Sequence, residues 1–239
     1  MLFVDLHKND FSDLPDDVLL MILQYLPVED ILLNISNVNH RLCTLIKKNG
    51  NLYRNVDFQD CVDLDESTLS IIINNQQKLN ILNLSSQLFD IDELEFNWMI
   101  SKLKKAEQLQ ELLLADTSLV YLDFLAQAEF KNLTTLDLSG TKINNFQIKN
   151  LMFLTSLKNL YLSFTNVSPS AVVQIAQFLV NLEILDACNI CFSFKHVKVL
   201  ACFCKSLKSL HISMKTKQDE TKSFEILRTL RPEINLSIF

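Results

Sequence analysis

The chain has 239 residues, 49% of them hydrophobic and 21% charged, with a formal net charge of −6. This is enough apolar material for a sizeable core, and the acidic balance gives no global electrostatic case for nucleic acid or an anionic membrane as partner. Only Gly50 and Gly140 occur, which excludes a glycine-rich phosphate cradle, a dinucleotide fingerprint and a Walker loop.

Taken in chain order, Met1-Leu2-Phe3-Val4-Asp5 places an acid early and offers no signal-peptide apolar region. No uninterrupted apolar run reaches the ~20 residues of a membrane span. Six cysteines without a dense framework point to reduced thiols and a cytoplasmic and/or nuclear setting. The final Leu236-Ser237-Ile238-Phe239 has no cysteine, so it encodes no prenyl anchor.

Residues 12 to 46 predict three short helices. Pro15 suits a first helical position, with Asp16 and Asp17 at the positive helix end. Val18, Leu19, Ile22 and Leu26 form the first apolar stripe, and Leu26-Pro27 stops the helix. Val28, Ile31, Leu32 and Ile35 form a second stripe, and Val38, Leu42, Leu45 and Ile46 a third. So small a unit cannot bury all of this surface within itself, so some of it must face something else.

The order and spacing of Leu14-Pro15, Ile22, Leu26-Pro27, Asp30-Ile31, Val38 and Arg41 resemble an F-box, over residues 11–50. The likeness departs at Asn39 and Leu42, where many F-boxes carry Cys and Trp. It implies that Leu14, Pro15, Ile22, Leu26, Pro27 and Ile31 contact a Skp-type adaptor, the competing reading being that they pack inside the helical unit.

From residue 51 to 239 one pattern recurs: apolar, two free, apolar, one free, apolar, two free, then a small or polar residue. It runs through Tyr53-Val56-Phe58-Cys61, Leu79-Leu82-Leu84-Gln87, Leu109-Leu112-Leu114-Thr117 and Leu133-Leu136-Leu138-Thr141. It continues through Leu157-Leu160-Leu162-Thr165, Leu182-Leu185-Ala187-Ile190 and Leu207-Leu210-Ile212-Lys215. A closing unit, Ile234-Leu236-Phe239, has Arg231 in the leading place. The spacing is mostly 24 to 26 residues, within the leucine-rich-repeat range. The expected fold is α/β: a three-helix unit, then a solenoid of about eight units with short parallel strands on the concave face and helices on the convex face. Thr117, Thr141 and Thr165 are expected to satisfy backbone groups in the turns, and the units at Ile190 and Lys215 to be less regular.

The free strand positions point to the concave face. There the candidate binding residues are Asp57, Ile81, Glu111, Leu113, Asp137, Tyr161, Ile184, Asp186 and His211, an acidic surface with apolar anchors suited to a basic polypeptide segment; the alternative is that they are ordinary solvated strand positions. An F-box followed by leucine-rich repeats resembles the substrate receptors of SCF-type cullin ubiquitin ligases. The resemblance implies a non-catalytic receptor that binds the adaptor, and through it a cullin, while its repeats hold a target for ubiquitination. The alternative is a repeat scaffold or assembly factor acting outside a ligase.

Other constellations are weaker. Cys188, Cys191, Cys202 and Cys204 lack the spacing of paired zinc knuckles and read as structural thiols. No G-x-S-x-G occurs, and an open curved sheet encloses no pocket for a carboxylate pair. No cofactor, metal, nucleic acid or membrane is therefore expected. Phe3, Phe11, Trp98 and most of the sixteen phenylalanines read as packing, and Lys102, Lys104 and Lys105 as a helix-end patch.

Overall fold

The computed structural model describes residues 11–59, 64–85, 92–127 and 130–239. The expectations for residues 1–8 and for Cys61 and Gln87 lie outside these residues. The first helix, α1 (Asp16–Leu23), starts one residue later than expected, with Pro15 as its N-cap at φ −58°. Leu19 and Leu23 point inward and are fully buried. After α1, the N–H groups of Tyr25 and Leu26 close tight turns onto the carbonyls of Ile22 and Leu23, both at 3.1 Å.

The second expected helix is instead a π turn over Asp30–Asn34 running into a 3-10 turn over Ile35–Asn37. The side chains of Ser36 and Asn37 donate to the carbonyls of Leu32 and Leu33 four residues back, at 2.5 and 2.7 Å. Such back-bonding competes with the regular ladder and bends it. Helix α2 (His40–Lys48) comes next. Asn39 is its N-cap, accepting from the N–H of Leu42 at 2.9 Å. One departure from the F-box pattern thus starts a helix, and the other, Leu42, is buried in the core.

No linker separates the helical unit from the repeats. A 3-10 turn over Gly50–Tyr53 leads into strand β1 (Asn55–Asp57). Tyr53 is fully buried, and its hydroxyl donates to the carbonyl of Ile46 at 3.0 Å. Burial pushes its phenol pKa well above the ordinary value, with Cys43 adding to the effect.

Strands β1, β2 (Ile81–Asn83), β3 (Glu111–Leu113), β4 (Thr135–Asp137), β5 (Asn159–Tyr161), β6 (Ile184–Phe192), β7 (Ser209–Met214) and β8 (Asn235–Ile238) form one parallel sheet in chain order. Between them lie α3 (Glu66–Asn74), α4 (Glu93–Ile100), α5 (Asp123–Gln127), a 3-10 segment (Gln147–Phe153), α6 (Pro169–Ala176), α7 (Phe194–Phe203) and α8 (Lys217–Leu230). Ser168 caps α6 by accepting from the N–H of Ala171, as the Ser168-Pro169-Ser170 sequence predicts. The register stacks Val56, Leu82, Leu112, Leu136, Leu160, Leu185 and Leu210 in one line, all fully buried. Burying each such side chain contributes about 1.5–3 kcal/mol, so the line is the backbone of the core.

The turns after β3, β4 and β5 are built the same way. The hydroxyls of Thr117, Thr141 and Thr165 donate to the carbonyls of Leu114, Leu138 and Leu162 at 2.7, 2.6 and 2.7 Å. The residue before each threonine is left-handed: Asp116 at φ 58°, Gly140 at 67°, Phe164 at 59°, and Asn189 at 64° in the unit where Ile190 replaces threonine. Gly140 is required twice over, since a Cβ there would also meet the Oδ1 of Asp116 at 2.0 Å. In that Ile190 unit β6 extends and its register with β7 shifts between Ala187 and Cys191, the irregularity expected at this end.

The last repeat differs from its sequence reading. Leu210 pairs with Leu236, and His211 with Ser237, so the closing unit is displaced by two residues. Ile234 is buried but precedes the strand, and Glu233 leaves the strand face. Arg231, one turn back, is a cap. Its guanidinium donates to the carbonyls of Ala201, Cys204, Lys205 and Leu207 at 2.9–3.3 Å and pairs with Glu233. Arg231→Met keeps the stem and removes these donors. It should lower the free energy of unfolding by about 3 kcal/mol in urea titration, with amide exchange rising first in β7 and β8.

Candidate protein-binding surfaces

Two surfaces collect the candidate residues. On α1 the side opposite Leu19 and Leu23 carries Met21, with Ile22 at its flank, and the surface is continued by Tyr25, Leu26 and Pro27 in the turn, all exposed; Tyr25 reaches 89%. Val38 is also exposed. Of the expected adaptor residues, Pro15, Ile22, Leu26 and Pro27 are on the surface and Leu14 is half-buried against the core. Ile31 is 1% exposed: the π turn directs it inward, so it packs rather than presents. Met21 and Tyr25 were missed because the stripe pattern marks core positions, and these two fall outside it.

Arg41 positions the start of α1. Its Nε donates to the Oδ1 of Asp16 at 3.0 Å and an Nη donates to the carbonyl of Leu14 at 2.7 Å. Beside this surface lies a cleft of about 610 Å³ between the Leu26-Pro27 turn and the free side of β1, lined also by Val28, Leu52, Arg54 and Asp57.

The second surface is the strand face, where register turns the free positions into two rows. One reads Asn55, Ile81, Glu111, Thr135, Asn159, Ile184, Ser209; the other Asp57, Asn83, Leu113, Asp137, Tyr161, Asp186, His211. Adjacent strands lie ~4.8 Å apart, so Leu113, Asp137, Tyr161, Asp186 and His211 form a contiguous line, with Glu111 and Ile184 in the parallel row. Ile81 lies one strand beyond. Asp57 is cut off from the group by Asn83, which is buried rather than open: it donates to Gln59 and accepts from the N–H of Ser85.

Tyr161 sits between the two aspartates. Burial raises its pKa, and the fields of Asp137, Asp186 and Glu111 raise it further. Asp137 is also raised, first by burial and then by Asp186 and Asp116, against the lowering effect of the Ser139 N–H that it accepts at 2.9 Å. Asp186 accepts from the hydroxyl of Ser163. His211 is held by the hydroxyl of Ser209 at 2.8 Å and stacks on the Phe239 ring. Asp116, which adds charge to this group, was missed because it lies in the turn and not on a strand.

The cysteines lie in different settings. Cys204 is buried against the carbonyl of Ala176, with its thiol pushed up to about 11 by burial. Cys188, on β6, is likewise pushed up to about 11, by burial and then by Asp186. Many phenylalanines and Trp98 are not packing: Phe11, Trp98, Phe146, Phe153, Phe164, Phe178 and Phe203 are all exposed. Lys102 lies past the end of α4, its ammonium 3.0 Å from the centre of the Trp98 ring.

A raised carboxylate binds its proton more tightly in the folded than in the unfolded chain, so ionised Asp137 destabilises the fold above its folded pKa. That penalty disappears as pH falls below the unfolded value of about 3.9. Asp137→Asn keeps an oxygen for the Ser139 N–H. Its melting temperature should exceed that of wild type at pH 7, and the gap should close as pH falls toward 4.

A family model described as F-box-like matches residues 11–59. No curated protein matches the chain. Among solved structures, an internalin from Listeria monocytogenes is similar over 76% of this chain and 44% of that one, with 16% identity and a TM-score of 0.48; the chain thus spans under half of that protein's length. The match to residues 11–59 ends just beyond β1, so the helical unit and the first strand of the solenoid fall within it. An F-box-like domain followed by a leucine-rich-repeat solenoid gives this chain the architecture of an F-box/leucine-rich-repeat protein.

Proposed function

We propose that this chain is the target-binding subunit of an SCF-type ubiquitin ligase. In this reading the exposed apolar surface of Ile22, Tyr25, Leu26 and Pro27 docks on a Skp-type adaptor, and the strand face holds the target. The observation that carries the proposal is that surface: a helix and turn whose apolar side chains stay in water although their neighbours are fully buried. Water-exposed apolar surface of this kind gains free energy when a partner covers it.

The chain supplies proximity rather than bond chemistry. The adaptor side is linked to the cullin and a conjugating enzyme, and the strand face raises the local concentration of target lysines. Around Tyr161 the face combines Glu111, Asp137 and Asp186 with Leu113 and Ile184, which suits a segment carrying lysine or arginine beside an apolar residue. The Arg41 contacts to Asp16 and to the carbonyl of Leu14 hold the start of α1 in place for docking.

The test is calorimetry against a purified Skp-type adaptor. Wild type should bind, and Leu26→Asp with Pro27→Ala should weaken binding about 100-fold or more while the melting curve is preserved. Asp137→Lys with Asp186→Lys should leave adaptor affinity unchanged and abolish target ubiquitination in a reconstituted ligase. A wild type that does not bind the adaptor would leave the repeat scaffold acting outside a ligase as the reading to pursue.

A further inference from the structure

One flank of the solenoid belongs to neither surface. Phe153, Phe178 and Phe203 stand four residues before Leu157, Leu182 and Leu207, where a helical segment ends and the chain turns toward its strand. The three are 60%, 50% and 57% exposed, and Val180 beside Phe178 is 57% exposed. The turn is the same each time: the N–H groups of Thr155, Val180 and Lys205 donate to the carbonyls of Phe153, Phe178 and Phe203 at 3.0, 3.1 and 3.0 Å. Because β5, β6 and β7 pair in register, the three phenylalanines fall in one row. A repeated exposed aromatic is not the scattered apolar residue that any surface carries.

The same flank is basic although the chain is acidic overall. Lys104, Lys105, Lys131 and Lys205 occupy turns at this end of the helices, and all four are exposed. Lys158 and Lys208 lie in the positions after the buried leucines and share Glu183. Among the described residues Glu107 and Glu233, the latter paired with Arg231, are further acids on the flank, and with Glu183 they do not balance the six lysines. With a screening length of about 8 Å, a partner approaching from this side meets the flank and not the acids of the strand face.

We propose that this flank docks on an anionic bilayer surface, with the phenylalanines and Val180 entering the boundary between headgroups and acyl chains and the lysines meeting acidic headgroups. Three observations favour a bilayer over a nucleic acid strand. Val180 is aliphatic and offers no ring for a base to stack on, but it suits a hydrocarbon boundary. Most of the cations beside the row are lysines, whose long stems can lie along apolar surface; of the two arginines at the last repeat, Arg228 is exposed at the end of α8 and Arg231 is committed to carbonyls. A row of equivalent points repeated along one side matches a plane better than a groove does. Among the described residues no helix is long and apolar enough to cross a membrane, so the association would be peripheral. This inference does not depend on adaptor binding.

The experiment is co-sedimentation of the full chain with phosphatidylcholine vesicles, with and without about 30% phosphatidylserine. Wild type should bind only the phosphatidylserine vesicles and dissociate at high salt. Phe153→Ser, Phe178→Ser and Phe203→Ser together should weaken binding about tenfold or more, as should Lys104→Glu, Lys105→Glu and Lys205→Glu together. Phe153→Ser alone, at the most exposed of the three, should weaken it about threefold with an unchanged melting curve. Absence of wild-type binding, equal binding by folded variants, or binding of single-stranded RNA in place of vesicles would each overturn the proposal.

Discussion

Every repeat in this chain leaves an apolar face that only its neighbour can cover, and the line from Val56 to Leu210 is where that face is covered six times over. The rest of the architecture depends on keeping that line unbroken. Parallel strands in strict register set the positions on either side of it, so acids and anchors distant in sequence become adjacent. The threonine hydroxyls and the left-handed residues before them let β3, β4 and β5 end at the same point. Side chains one residue before the leading leucine add a second tie: Asn132, Ser156, Asn181 and Ser206 each donate to a backbone carbonyl of the preceding repeat. Polar ladders thus fix the spacing that the apolar line needs.

The two ends of such a stack need different solutions. At the first, the F-box-like helices cover the core while keeping one side of α1 in water, so the same few turns seal the solenoid and present a surface. At the last, the Arg231 fork bonds carbonyls of the preceding repeat, joining the Leu207 N–H on that of Cys204, and so ties the closing turn to its neighbour.

Much of this was legible because the apolar spacing of a repeat is itself the strand's in-and-out alternation, written with leucine. The same rule misled at the closing unit, where Ile234 imitates a strand leucine and only pairing shows that Leu236 holds that place. Ile31 was expected to contact a partner from its motif position, yet it also belongs to the second apolar stripe, and it is the stripe that its burial in the π turn follows. The exposed phenylalanines went unread for a related reason. Hydrophobicity alone assigns an aromatic to the core, and net charge averages over a molecule whose acids and lysines are sorted to different sides. Asp116 and Asn97 are polar residues whose roles depend on tertiary neighbours. Asn97, buried in α4, bonds Glu93, Ser118, Val120 and Tyr121 backbone groups, a set spread over nearly thirty positions.

Tyr53 bears on how the molecule responds as a whole. Its ring lies in the core of the first repeat, and its hydroxyl is tied to the end of α2, so the helices and the strands share material rather than a hinge. A tether would let the two halves pivot and melt separately. Here a load applied to the strands is transmitted directly into the helices, and the angle between the two surfaces is a fixed property of the fold. Whatever sits on the strand face is therefore held at a constant bearing from α1, and the molecule works as a bracket rather than a leash.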